Sequence, residues 1–79
     1  AENPGHEHTA RALARRGLTY RSLKDQAKAV GDFQRVVKEY TNSEAAEMAY
    51  LQLGLIASEQ RDPKATIAAF EMLVKKYPS

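Results

Sequence analysis

Phe33-Gln34-Arg35-Val36-Val37-Lys38-Glu39-Tyr40 and Phe70-Glu71-Met72-Leu73-Val74-Lys75-Lys76-Tyr77 are one phrase written twice, 37 residues apart. The same offset carries Gly17 onto Gly54, Leu18 onto Leu55 and Asp25 onto Asp62. Glycine, cap and aromatic recur while the polar filler changes. Two copies of one supersecondary unit behave this way when packing is kept and the solvent face drifts. A chain assembled from repeated units is built to present a surface rather than to enclose a reaction centre.

Working outward from the phrase, the apolar residues return every three or four positions and nowhere alternate as in a half-buried strand, so the chain reads as all helix. The first helix is expected over about Thr9 to Ser22. The second runs from Asp25 to Tyr40, with Ala29, Val30, Phe33, Val36, Val37 and Tyr40 as its buried stripe. Asp25 suits the cap of that helix, because its carboxylate accepts from free amides of the first turn. Thr41-Asn42-Ser43-Glu44 breaks and restarts the chain, with Ser43 or Thr41 as cap, and the third helix reaches about Gln60. Asp62-Pro63 opens the fourth, a cap followed by a proline whose missing amide hydrogen costs nothing in a first turn. Ile67, Phe70, Leu73, Val74 and Tyr77 form its stripe, and Pro78 stops it. Residues 1–8 read as a flexible lead-in, 9–42 as the first unit and 43–79 as the second. Gly17 and Gly54 fall in mid-helix, where glycine costs about 1 kcal/mol relative to alanine, so a close approach of another helix backbone is expected at both.

At 79 residues the chain buries only roughly 60–65% of the surface its unfolded form exposes. With no cysteine, disulfides, thiolate zinc sites and cysteine nucleophiles are excluded together. The net charge of +2 is mild but uneven: residues 1–40 hold eight Lys/Arg against five Asp/Glu, residues 41–79 four against five. No apolar run approaches the ~18–20 residues of a membrane span, and no signal-peptide pattern is present.

The second unit carries Tyr50-x2-Leu53-Gly54-x2-Ala57, then Thr66-x3-Phe70, then Pro78, and the first carries Leu13-x2-Arg16-Gly17-x2-Tyr20, then Ala29-x3-Phe33, with Thr41 where proline would stand. This arrangement resembles the tetratricopeptide repeat. The resemblance covers about 70 residues and implies two helix-turn-helix hairpins forming a short right-handed α-solenoid segment. Arg16, Ala57, Thr66 and Thr41 depart from the pattern, and Arg16 in place of leucine implies a looser first helix. The 37-residue period and the closing Phe-x6-Tyr phrase are similar to the long repeats of bacterial cell-envelope proteins, such as the Tol-Pal-associated coordinator of cell division and the BamD type of assembly lipoprotein. That likeness suggests a periplasmic or envelope location, with the cytoplasm as alternative.

What the resemblance implies for function is protein binding. In such repeats the first helix of each hairpin lines a concave groove, here Arg11, Ala14, Arg15, Leu18 and Ser22 with Met48, Leu51, Gln52, Leu55 and Glu59. A basic entrance over an apolar floor suits a protein or peptide partner with acidic and apolar side chains. The plainer alternative has Leu51 and Leu55 packing on the preceding repeat and the arginines merely solvated. The carboxylate clamp of chaperone-binding members needs lysine and asparagine where Ala14 and Leu18 stand, which argues against that activity. On the fourth helix Ala68, Ala69 and Met72 replace Gly31, Asp32 and Arg35. Since fewer than about three repeats seldom stand alone, this apolar patch implies either that the parent protein continues with another repeat or that copies of the chain pair through it, which makes it a candidate self-association face.

No catalytic, cofactor or metal site is expected. His6-Glu7-His8 lies in the lead-in without zinc-protease spacing, and Ser22, Ser43 and Ser58 have no base to activate them. The alternative reading, a basic module for nucleic acid or an anionic surface, would use Arg11, Arg15, Arg16, Arg21, Lys24 and Lys28. These fan around more than one helix face and lack exposed aromatics for stacking, which argues against nucleic acid.

Overall fold

A computed structural model describes residues 4–77, with side chains from residue 7 onward, and is all-α. Four helices follow in order, α1 (Pro4–Ser22), α2 (Gln26–Glu39), α3 (Glu44–Glu59) and α4 (Pro63–Lys76), and no strand occurs among the described residues. α1 packs on α2 and α3 on α4, giving two hairpins, and α3 also lies against both α1 and α2. α4 touches α3 alone. The core therefore sits between α1, α2 and α3, where Phe33, Val36, Ala29, Ala46 and Ala49 are fully buried and Ile56 nearly so.

Local chemistry sets each boundary. The Asp25 carboxylate accepts from the Lys28 amide at 3.2 Å, and the Asp62 carboxylate accepts from the Ala65 amide at 3.1 Å. Ser43, not Thr41, caps α3: its hydroxyl accepts from the Ala46 amide at 3.2 Å and donates to the Tyr40 carbonyl at 2.7 Å. Pro63 occupies the first turn of α4. Pro78, the expected stop, lies outside the described residues. α1 begins at Pro4, five residues ahead of the expected start at Thr9. Within its added turn the Glu7 carboxylate accepts from the Glu44 amide at 3.2 and 3.3 Å. That bond satisfies a free donor of the α3 N-terminus from across the stack.

Both hairpin turns use the same device. Lys24 (φ 63°) and Arg61 (φ 58°) are left-handed. Around them Asp25 N–H bonds Tyr20 C=O and Lys24 N–H bonds Arg21 C=O, and Asp62 N–H and Arg61 N–H bond Ala57 and Ser58 carbonyls in the same way. This is the Schellman closure of a helix end, with a long basic side chain where glycine is usual.

Two expectations are corrected. The α4 stripe is not buried: no residue of α4 is buried, and Ile67 and Val74 are 57% and 67% exposed. A stripe needs a helix on its far side, and only α3 is there. The mid-helix glycines make room for a ring rather than a backbone. A Cβ on Gly17 would stand 2.8 Å from Phe33 ring atoms, and one on Gly54 would stand 2.6 Å from those of Phe70. The two glycines thus occupy matching surroundings, each seating the phenylalanine of its own hairpin.

Candidate functional site

The side chains expected along a single groove divide into distinct places. Arg11 and Arg15 are exposed on α1 and line a shallow depression with His8 and Ala12. Leu18 and Ser22, near the other end of α1, line a wider open depression of about 840 Å³ with Arg21, Lys24, Gln26 and Glu59. Leu51 and Leu55 are partly exposed on α3, and Met48 and Gln52 are half-buried. Ala14 has to be withdrawn as a contact residue. It is 1% exposed, sealed in the core with Ala10, because α3 lies across that side of α1.

Arg21, absent from the expected groove, is the residue that organises it. Its guanidinium donates to the Gln52 side-chain oxygen at 2.7 Å and to the Glu59 carboxylate at 2.6 Å. Gln26 donates to Glu59 at 3.0 Å and accepts from Gln60 at 3.1 Å. Gln52 and Glu59 are therefore spent on holding α3 against the first hairpin. Leu18, Ser22, Arg11 and Arg15 remain exposed, whereas the polar groups at these two positions are engaged within the fold. Sequence spacing gave no signal for the clasp, whose members stand 31 and 38 residues apart.

A family model described as Tetratricopeptide repeat matches residues 11–43 and again residues 48–79. The chain belongs to the tetratricopeptide repeat family. No curated protein and no solved structure gives a match. Tetratricopeptide repeats in general mediate protein–protein contact and are non-enzymatic scaffolds. Among the described residues no group of three or more His, Cys, Asp or Glu is placed to hold a metal ion. His8 is exposed, and the side chain of His6 lies outside the described residues. No helix among the described residues is long and apolar enough to cross a membrane.

Arg16, the departure from the repeat pattern expected to loosen the first helix, does the opposite. Its Nε and Nη2 donate to the two carboxylate oxygens of Asp32, both at 2.8 Å, in a two-point pair. Asp32 is 6% exposed, while the Arg16 side chain is largely open to solvent. The hydrogen bond to Asp32 and its negative charge push the guanidinium pKa further above its usual high value. Arg16 and Lys28 also lie over the Tyr20 ring, at 5.7 and 5.5 Å from its centroid. In the second repeat the paired positions are Leu53 and Ala69. An ion pair in one repeat stands where an apolar pair stands in the other.

Of the six cations available to an anionic surface, Arg16, Arg21 and Lys28 are engaged internally, Lys28 with Asp25 at 3.7 Å. Arg11, Arg15 and Lys24 make no ion pair among the described residues. On α4, Ala68 is exposed while Ala69 and Met72 are half-buried. The larger apolar exposure lies on the neighbouring stripe, where Ile67, Phe70 and Val74 line a hollow of about 560 Å³ with Thr66, Glu71 and Lys75.

Proposed function

We propose that this tetratricopeptide repeat chain is a protein-binding scaffold that takes a partner segment along α1, with Leu18 and Ser22 as the contact floor and Arg11 and Arg15 selecting acidic side chains. The observation that carries the reading is the state of those two arginines. They are exposed, unengaged and on the same helix as a partly exposed leucine, while neighbouring cations are tied up within the fold. Apolar burial supplies affinity, and charge supplies selection and on-rate. The envelope location suggested by the 37-residue period belongs to this proposal, and fractionation of the source cells tests it.

The experiment is a comparison of partners retained by the parent chain and by Arg11→Glu with Arg15→Glu, quantified by mass spectrometry after affinity capture. Both positions are exposed, so helicity is retained, and partners bearing acidic segments are lost from the variant. An unchanged set of retained proteins removes the α1 reading. Pairing of copies through Ala68, Ala69 and Met72 has less surface behind it, since two of the three are half-buried. A strict monomer in light scattering at high concentration removes it.

A further inference from the structure

One carboxylate in this fold is held as a ligand is held. Glu59, the last residue of α3, has each of its oxygens on a different side chain of the first hairpin. Arg21 of α1 donates from Nη2 to one at 2.6 Å, and the Gln26 amide at the start of α2 donates to the other at 3.0 Å. Both donors are held in turn. Gln52 accepts from Arg21 Nη1 at 2.7 Å, and Gln60 donates to the Gln26 oxygen at 3.1 Å, which turns the Gln26 NH2 toward Glu59.

This receptor is not a packing rule of the repeat. At the matching positions of the second repeat Arg21 and Gln26 become Ser58 and Pro63, which have no guanidinium or amide to offer. A carboxylate is also poorly placed at Glu59 on local grounds. The C-terminus of a helix disfavours negative charge, and no basic residue lies in the last turn of α3 to offset it.

The receptor opens on the proposed contact surface. Arg21, Gln26 and Glu59 line the depression of about 840 Å³ that holds Leu18 and Ser22, and Lys24, which makes no ion pair among the described residues, lines it too. The Arg21 and Glu59 side chains are 26% and 50% exposed, so a group arriving from solvent reaches both. Ion pairs this open hold weakly.

From this we infer that Glu59 is an internal stand-in for an acidic side chain of the partner, filling the Arg21 and Gln26 receptor in the free chain and giving way when a partner carboxylate enters. The inference rests on the α1 reading and adds a regulated contact to it. An apolar residue of the partner beside that carboxylate lies on Leu18, and Lys24 offers the incoming group a charge that Glu59 does not use. α3 stays seated during the exchange through Ala46 and Ala49, which are fully buried. Partner binding and the polar hold between the repeats are thereby coupled, each weakening the other.

The probe is a hexapeptide of alternating glutamate and leucine, acetylated and amidated so that its only carboxylates are on side chains, titrated into the 15N-labelled chain. Shifts are expected at Leu18, Ser22 and Lys24 and at the side-chain amides of Gln26 and Gln52. Glu59→Gln should tighten binding about two- to fivefold, the span set by exposed ion pairs, and lower the melting temperature. A residue that only held the fold would lose stability without gaining affinity. Glu71→Gln makes the same charge change on α4 and should leave affinity as it is. Both positions are exposed, and far-UV circular dichroism checks the fold of each variant. With Arg21→Gln in place, Glu59→Gln should bring no gain. The inference is overturned if Glu59→Gln leaves binding unchanged or weakens it, if Glu71→Gln matches the gain, if the gain survives Arg21→Gln, or if neither the parent nor Glu59→Gln takes the peptide. Binding lost on Arg11→Glu with Arg15→Glu but indifferent to Glu59→Gln would remove the exchange and keep the α1 reading. A gain from Glu59→Gln with no effect of the arginine pair would remove the arginine selection and keep the exchange.

Discussion

Phe33 and Phe70 hold the same place in two hairpins of the same design, each ring seated over a glycine, and yet one is fully buried and the other half-open. Intrahairpin packing alone therefore leaves a repeat half-finished. The missing half comes from the neighbour, as expected of a one-dimensional array in which stability is shared between units and their interfaces. The first repeat has both halves, the second only its own. A substitution made at matching positions should thus have unequal consequences, and the inequality measures what the neighbour contributes.

The largest inequality is expected at the glycines. Gly17→Ala places a methyl 2.8 Å from a ring that is sealed on every side, whereas Gly54→Ala places one 2.6 Å from a ring that can swing toward solvent. Overpacking costs about 1–3 kcal/mol, and replacing a mid-helix glycine by alanine returns about 1 kcal/mol. Gly17→Ala should therefore lower stability by up to roughly 2 kcal/mol in urea denaturation, while Gly54→Ala should be near neutral. Equal losses would mean that Phe70 is held as firmly as Phe33, and the comparison would break.

A smaller effect sharpens the same comparison at Arg16 and Asp32, where the second repeat has Leu53 and Ala69. Arg16→Leu leaves a buried carboxylate without its partner, and Asp32→Ala leaves only an exposed guanidinium that water can serve. The melting temperature should fall more for Arg16→Leu than for Asp32→Ala. The double change, which copies the second repeat, should recover most of the loss. If the losses simply add, the pair is not coupled and the two repeats are not alternative solutions of one contact.

What could be read from the sequence divides along the same line, between contacts within a helix and contacts across the stack. The caps at Asp25, Ser43 and Asp62 were legible because cap and amide lie three residues apart, and the α2 stripe because its period is local. The start of α1 was missed by five residues because part of what engages its first turns, the Glu44 amide received by Glu7, is 37 residues away. The Schellman turns were hidden for a different reason: their left-handed residues are Lys24 and Arg61 rather than glycine, so composition gave no sign. In the candidate site, Arg11, Arg15, Leu18 and Ser22 lie on an open side of α1 as a helical spacing places them. Ala14 was misplaced because α3 crosses it, and Arg21 was overlooked because its partners are on another repeat. Spacing tells which face a residue is on, not which neighbour covers that face.

The smallest effect is expected at the end of the second repeat, where Tyr77 caps α4. Burial raises its phenol pKa, and the neighbouring Tyr50 and Glu47, whose negative forms would repel a phenolate, raise it further. A raised pKa in an acid means that the folded state keeps its proton to higher pH than the unfolded chain does. Below the ordinary tyrosine value of about 10 both states are neutral and the group contributes no pH dependence. Above it the unfolded chain ionises first, binds fewer protons than the folded state, and is favoured, so stability falls as pH rises until the folded phenol ionises as well. Lysines titrate in the same range, so the measurement is the difference between the parent and Tyr77→Phe in urea denaturation from pH 9 to pH 12. The parent should lose stability more steeply above about pH 10. Identical slopes would mean that Tyr77 is as solvated folded as unfolded, and that the open repeat gives its last aromatic no shelter.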